Sequence, residues 1–377
     1  MIEIDGVYQK VVKQSNRRKI FNHIKKKRQI TKLDLARDLD LSITTVSSNI
    51  RMLKERGYVS DERYDESTGG RKAKIIELQP NARFSIGCEL KENHARIVLM
   101  NLEHAIAEQQ YINTVDLHNL PGATISIIDS FIEQHGIAGK IAGIGISLPG
   151  IVDSDKQRLV NAPNMMVENV DFRPVKEHFS CSVYIENEAN CAAFAEFNDR
   201  NIEGSLCYVS ITEGIGGALI FNNRLINGRN NRAGEVGHMV IVKDGRECHC
   251  GNRGCWEQYA SEHALGRMLD EVLNERLSIP DAFRRYATDS AVRSCIESYA
   301  EHVAAGICNV LMMFDPGRII IGGTVADYAE VLNPLISNWI LERTHFYRRE
   351  ELSIGFSSFG SDAGVIGAGL FPLIDMF

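Results

Sequence analysis

The residues best suited to chemistry crowd into one short stretch. His238 is followed by Cys248, Cys250 and Cys255. One imidazole and three thiols make a closed tetrahedral donor set for zinc, with no position left for a substrate, so the site reads as structural. Gly251 and Gly254 let the chain wrap an ion. Three cysteines within eight residues are hard to ascribe to chance burial. His249 alternates away from its neighbours and reads as a bystander. One zinc ion per chain is therefore expected. The chain holds nine cysteines, an odd number. The opening MIEIDGVYQK has no apolar core of a secretion signal, which argues against a disulfide framework.

A second set of candidates lies near the start. Thr44, Thr45, Ser48 and Arg51 share one face of a predicted helix whose other face, Ile43, Val46, Ile50 and Leu53, is apolar at close to helical period. Hydroxyls and a guanidinium suit the edges of bases in a major groove. Two further helices precede it. One runs from Arg17 to about Lys27. The next is capped by Thr31 with Asp34 at the third position, and Ser42 caps the helix with the polar face. Tyr58–Ser60 and Lys74–Leu78 then read as a β-hairpin with Ser67–Lys72 at its tip, from which Arg71 can enter a minor groove. These elements, in this order, resemble a winged helix-turn-helix over residues 1–80. Charge agrees: residues 1–80 carry 18 basic against 11 acidic side chains, whereas the whole chain of 377 residues has a net charge of −7. A basic head on an acidic body points to a polyanion as partner of the head alone.

The elements that must position the cysteine block follow from the pattern after residue 81. Strands are predicted at Arg83–Leu90, His94–Asn101, Ala105–Ile112, Lys140–Ser147 and Ser182–Glu186. Helices are predicted near Ala123–Gln134 and from Asn187. The pattern restarts with strands from Ser205 to Phe221, helices near 281–286 and 292–314, the strand Arg318–Ile321 and a closing helix from about Asp362. Strands and helices alternate in two halves, which implies an α/β body with lobes at 81–200 and 201–377. No run of about 18 apolar residues is present, so no membrane helix is expected. There is no GxxxxGK[ST] phosphate loop.

The His/Cys block is joined by Leu148–Val152, Asn161–Asn164, Ile185–Asn190, Thr212–Gly217 and Ile321–Thr324. Their order and spacing over nearly the whole chain resemble the ROK (repressor, open reading frame, kinase) family. The winged head is similar to its repressor branch, the xylose- and N-acetylglucosamine-type repressors. The resemblance implies a two-lobed, actin-like (ribonuclease H-like) ATPase fold with a zinc site and a sugar cleft. It carries sugar contacts onto Asn164, Asn187, Glu188, Glu235, His238 and Glu257. It also implies a cytoplasmic, nucleoid-associated bacterial regulator, a homodimer or higher oligomer, that reads palindromic operator DNA and answers to a sugar or sugar phosphate. Kinases of the family carry Asp-x-Gly-Gly-Thr early in the body, where this chain has Glu89-Leu90-Lys91-Glu92-Asn93. They also carry an Asp base where this chain has Glu188. Without those glycines, backbone amides lose their approach to a phosphate. A carboxylate one methylene longer misplaces the base by about 1 Å, which costs roughly 100-fold. The expectation is a regulator without catalysis, with an ATP-dependent sugar kinase as the alternative.

Overall fold

A computed structural model describes residues 16–64, 73–200, 202, 204–273 and 276–377. The head begins with helix α1 over residues 16–27. Strand β1 (Gln29–Thr31) leads into α2 (Lys32–Asp38), and α3 (Ile43–Glu55) follows. Thr31 and Ser42 cap α2 and α3 through their side-chain oxygens, as expected. Val46, Ile50 and Leu53 of α3 are buried with Ile20, Ile24 and Leu35. Ile43, expected in that core, is instead 44% exposed. It is the first residue of α3, where the chain is only entering the helix. Strands β2 (Val59–Ser60) and β3 (Ile75–Leu78) close a small sheet of order β1-β3-β2. The expected hairpin tip, Ser67–Lys72 with Arg71, lies outside the described residues.

The body uses one plan twice. In the first sheet, β4 (Phe84–Leu90), β5 (Ala95–Asn101) and β6 (Ile106–Ile112) form an antiparallel meander. β7 (Ile141–Leu148) and β11 (Ser182–Asn187) extend it on the β4 side, giving β11-β7-β4-β5-β6. In the second, β12 (Leu206–Ile211), β13 (Ile215–Phe221) and β14 (Arg224–Leu225) form the meander. β15 (Ile319–Gly322) and β16 (Ile354–Phe356) extend it, giving β14-β13-β12-β15-β16. Numbering strands within each sheet, both orders read 3-2-1-4-5, the signature of a duplicated half. Strands β4 and β12 sit centrally and are buried almost throughout, and apart from Ser85, Glu89 and Ser210 their side chains are mainly apolar.

The chain divides into two compact but interleaved units. One holds residues 1–146, 172–184 and 369–377; the other holds 147–171 and 185–368. The first contains the head, the first sheet, α4 (Leu120–His135) and α5 (Arg173–His178). Within it Phe377, from the segment after α12 (Ala363–Asp375), stacks on Phe21 of the head at 4.1 Å between ring centres. The second unit contains a small sheet of β8 (Ile151–Asp153), β9 (Arg158–Ala162) and β10 (Val167–Asp171). It also contains the second sheet, α6 (Glu188–Asp199), α7 (Glu257–Ala260), α8 (Glu262–Leu273), α9 (Ile279–Arg285), α10 (Ser290–Phe314) and α11 (Ala329–Arg343). Its core centres on α10, whose Tyr299, Val303, Ile307 and Val310 are buried together with Val209, Ile319 and Ile321 of the sheet.

Candidate functional site

The cysteine block folds as a knot of turns on the second sheet. A single 3-10 turn, Val236–His238, presents the imidazole. The chain then doubles back through isolated bridges pairing Val240 with Cys255 and Glu247 with Arg253. Gly254 has φ +81°, and a Cβ there would lie 1.7 Å from the Val242 carbonyl oxygen, so only glycine fits. Beside Cys255, Trp256 is fully buried and donates its indole N–H to the His302 carbonyl at 2.8 Å. Its ring lies so close to α10 that a Cβ at Gly306 would sit 1.9 Å from it. The loop is thereby fastened to the central helix of the unit.

His238, Cys248, Cys250 and Cys255 bring all four donor atoms within 4.8 Å of one another. Cys248 Sγ lies 3.6 Å from His238 Nδ1, and Cys250 Sγ lies 3.7 Å from Cys255 Sγ. On a tetrahedral zinc, with bonds of about 2.0 Å to nitrogen and about 2.3 Å to sulfur, N···S is about 3.5 Å and S···S about 3.8 Å. The donor set therefore fits the ion in type and spacing. The charge around it fits as well. Cys248 Sγ lies 2.9 Å from Oε1 of Glu257, which is 6% exposed. Burial, with Glu257 beside it, pushes the Cys248 thiol up. A cation reverses that balance by favouring thiolates.

His238 thus faces two ways. Nδ1 belongs to the sulfur cluster, and Nε2 lies 3.7 Å from Glu235 Oε2. That second side opens on a cavity of about 980 Å³ built wholly within the second unit. All six residues expected to contact a sugar line it: Asn164, Asn187, Glu188, Glu235, His238 and Glu257. They come from four places. Asn164 sits in a turn between β9 and β10, Asn187 and Glu188 at the start of α6, Glu235 and His238 around the 3-10 turn, and Glu257 at the start of α7. Asn187 is largely committed already. Its Oδ1 accepts from the amides of Ala189 and Asn190, and its Nδ2 donates to the Gly150 carbonyl at 2.7 Å. One Nδ2 hydrogen remains for a ligand.

His249 stays outside the four-donor cluster, as expected, but it is more than a bystander. It also lines the cavity, with Nδ1 3.3 Å from Glu257 Oε1 and its ring edge-on to His238 at 5.5 Å. Side chains alternate only along an extended chain, whereas here Gly251 N–H donates to the Cys248 carbonyl at 3.0 Å and closes a turn. Among the described residues no Phe, Tyr or Trp lines the cavity; the aromatic rings on its wall are the imidazoles of His238, His249 and His263. The glycine loop Thr212–Gly217 and Asn190 complete the wall. Neither was assigned a sugar contact from the sequence, although both fall inside quoted motifs.

In the head, Thr44, Ser48 and Arg51 are exposed on α3 and Thr45 is half-buried. Ser42 Oγ bonds the hydroxyls of Thr44 and Thr45 at 2.8 and 2.9 Å, and Ser48 Oγ donates to the Thr45 carbonyl at 3.0 Å. Arg51 lies 4.0 Å from Glu55, a loose pair that leaves the guanidinium 78% exposed. Lys32, Ser47 and Lys54 line the same shallow depression, a cationic addition the sequence reading missed. Asp61, 6% exposed, is paired with Lys54 and lies 3.8 Å from Lys74. The Lys54 hydrogen bond holds its carboxyl below the usual range.

Residues 14–60 match a winged helix-turn-helix DNA-binding family, and residues 85–372 match the ROK family. A xylose repressor of Bacillus subtilis (strain 168) is 31% identical over 97% of this chain and 96% of its own length. The transcriptional dual regulator NagC of Escherichia coli (strain K12) is 29% identical over 88% of this chain and 85% of its own. Among solved structures, a ROK transcriptional regulator homologous to the E. coli MLC protein superposes with a TM-score of 0.81 at 24% identity, covering 97% of both chains. A ROK glucokinase from Streptomyces griseus, solved with glucose and AMPPNP, gives 0.65 at 23%, covering 76% of this chain and 98% of its own. The glucokinase match leaves about a quarter of this chain uncovered, whereas the regulator match leaves almost none. By the match along residues 85–372 and by the likeness to the xylose repressor over its full length, the chain belongs to the ROK family.

Proposed function

We propose that this chain is a DNA-binding transcriptional repressor whose grip on its operator is set by a sugar in the cavity of the second unit. One observation carries the reading. A winged head that exposes hydroxyls and a guanidinium on α3 is continuous with a ROK body whose cavity gathers all six expected sugar contacts. Thr44, Thr45, Ser48 and Arg51 meet base edges and phosphates, and Arg71 contacts the minor groove. The operator is palindromic and is read by a homodimer, because a winged helix reads half-sites in pairs. The protein acts in the cytoplasm; among the described residues, no helix is long and apolar enough to cross a membrane.

Carboxylates and amides accept and donate several hydrogen bonds to a ring of hydroxyls. Glu188, Glu235 and Glu257 accept; Asn164, the free hydrogen of Asn187 and His238 Nε2 complete the set. One zinc ion per chain, held by His238, Cys248, Cys250 and Cys255, supplies structural cross-linking of the loop and fixes the tautomer of His238. Glu235, His238 and Glu257 are thereby held for the sugar by the same loop. A sugar alters DNA binding only by preferring one conformation of the protein, and a near-complete switch needs about 5.5 kcal/mol of such preference. The relatives' names favour xylose as the first sugar to test. The kinase alternative is disfavoured by Glu89–Asn93 and by Glu188, so no ATP-dependent phosphorylation of the bound sugar is expected.

The test is fluorescence anisotropy with DNA from upstream of the chain's own gene, at low salt, with and without D-xylose, D-glucose and N-acetyl-D-glucosamine. Binding that falls steeply with salt and changes with one sugar supports the reading. Failure to bind any such DNA would overturn it. Magnesium-dependent sugar phosphorylation lost in Glu188→Ala would favour the kinase.

A further inference from the structure

Among the described residues, Cys250 is the one exposed thiol of the nine cysteines. Six of the others are buried, and Cys181 and Cys308 are half-buried. The thiolate, not the thiol, is the nucleophile. Burial pushes Cys88 and Cys207 up to about 12 and Cys295 up to about 11, so these stay protonated and inert. Cys250 is placed differently. It belongs to the four-donor cluster, and a cation there keeps its sulfur as thiolate. It also lines the cavity, so a small polar oxidant can reach it from water. Its Sγ lies 3.7 Å from Cys255 Sγ, at van der Waals contact. Gly251, the next residue, has φ +88° and no atom within 4 Å of where a Cβ would stand, so the chain at Cys250 has room to shift. Cys255 is held: it is fully buried beside Trp256, whose indole N–H is bonded to the His302 carbonyl. Cys248, the third thiol, is 7% exposed, and its Sγ lies 2.9 Å from Glu257 Oε1. One sulfur of the cluster is therefore open to attack, and one anchored sulfur waits beside it.

We infer that Cys250 is a site of oxidation by hydrogen peroxide, and that the oxidised residue closes a disulfide with Cys255 and opens the metal cluster. This rests on the reading of the four residues as a zinc site. In the first step the Cys250 thiolate attacks one peroxide oxygen. The O–O bond breaks, Cys250 becomes a sulfenic acid, and the departing hydroxide takes a proton to leave as water. In the second step the Cys255 thiolate attacks Cys250 Sγ. The S–S bond forms, the S–O bond breaks, and a second hydroxide leaves as water after taking a proton. The two sulfurs together lose two electrons, and one peroxide gains them. Only His238 and Cys248 of the four donors then remain, too few to hold a structural ion. Glu235, His238 and Glu257 lose the support of the loop at the same time, so oxidation uncouples the cavity wall that they form.

The experiment treats the full-length, metal-retaining protein with a molar excess of hydrogen peroxide. Released zinc is followed with a chromogenic chelator, and the thiols are mapped by mass spectrometry. About one zinc per chain should be released, in step with the loss of two thiols. Arg253 lies between the two cysteines, so trypsin separates them and the disulfide is read as two joined peptides. Fragmentation of the joined pair should place the bond on Cys250 and not on Cys248. A Cys181→Ser, Cys308→Ser double variant, which leaves the cluster intact, should release zinc at the wild-type rate. Reductant with added zinc should restore the metal. Zinc retained in excess peroxide, earlier oxidation of Cys181 or Cys308, a bond through Cys248, or Cys250 carried to a sulfinic acid with Cys255 still reduced each overturns the inference while leaving the metal site in place. If the purified protein holds no zinc, the metal-site reading fails and the inference falls with it.

Discussion

The cysteine loop and the DNA-binding head solve the same problem, holding polar groups ready for a ligand, in opposite ways. In the loop, charge is buried: Cys255 is fully buried, Cys248 is 7% exposed, and the Glu257 carboxylate lies beside them. In the head, the working groups stand in water on a small apolar core of Ile20, Ile24, Val46, Ile50 and Leu53. Buried charge interacts strongly and fails badly when one partner is removed. Exposed charge is screened, and its loss is shared among neighbours. The difference predicts an order of effects, largest in the loop and smallest in the head.

The largest effect should come from Cys250→Ala. Cys250 is exposed, so the substitution removes little packing and isolates the metal. Elemental analysis should fall from about one zinc per chain to none, and amide exchange over residues 238–257 should speed up. A metal-free variant with a wild-type exchange pattern and a normal sugar response would break the comparison at its base. Next comes Glu235→Ala. It removes an acceptor 3.7 Å from His238 Nε2 but no member of the sulfur cluster. The sugar response of operator binding should vanish, with DNA affinity and zinc content kept. An unchanged response would place the sugar elsewhere.

His249→Ala sharpens the boundary between the two regimes, because this ring is 60% exposed yet gripped by buried Glu257. We expect sugar affinity to drop roughly fivefold, about 1 kcal/mol, the worth of one net hydrogen bond, with zinc retained. Unaltered sugar affinity would return His249 to the bystander it resembled in the sequence. In the head, Arg51→Ala should weaken operator binding about tenfold or somewhat more and relax base preference at one position, without altering the sugar response. A loss confined to salt dependence, with base preference kept, would make Arg51 a phosphate contact instead.

How much of this was legible in the sequence follows the same divide. The cluster of His238, Cys248, Cys250 and Cys255 was readable because ligand chemistry ties residue type and spacing together, independent of fold. The caps Thr31 and Ser42 and the apolar face of α3 were readable because helix geometry is local. What escaped depends on distance. Strands β8, β9 and β10 have three to five residues each and carry Asp, Asn and Arg, so no alternation stands out. Helix α11 contains Pro334, a helix breaker that hides it, and its buried residues are only Leu332, Ile336 and Ile340. His249 escaped because one turn reversed its direction. The interleaving of the two units was invisible, since no local pattern records that residues 172–184 and 369–377 return to the first.

The smallest effect should be on acid stability of the head, through Asp61. Its carboxylate, 6% exposed after β2, is bonded by Lys54 of α3 and approached by Lys74 beside β3, so it pins α3 to the paired strands β2 and β3. The Lys54 hydrogen bond lowers its pKa, against the opposing pull of burial. In the unfolded chain an Asp titrates near 3.9, by a general estimate. A carboxyl with a folded pKa lower than that binds fewer protons folded than unfolded between the two values. Its stabilisation is therefore complete above the unfolded value and is lost as pH falls through the folded one. From pH 7 to 5 the group should add no pH dependence; below about pH 4 the head should loosen. Asp61→Asn should lower head stability by about 1 kcal/mol at pH 7, because Lys54 is 40% exposed and solvent screens the pair. It should also flatten the acid limb. Amide exchange in α3, followed from pH 7 to 3 in wild type and variant, reads both quantities. Equal acid limbs in the two proteins would assign the loss to other carboxylates and leave Asp61 as packing.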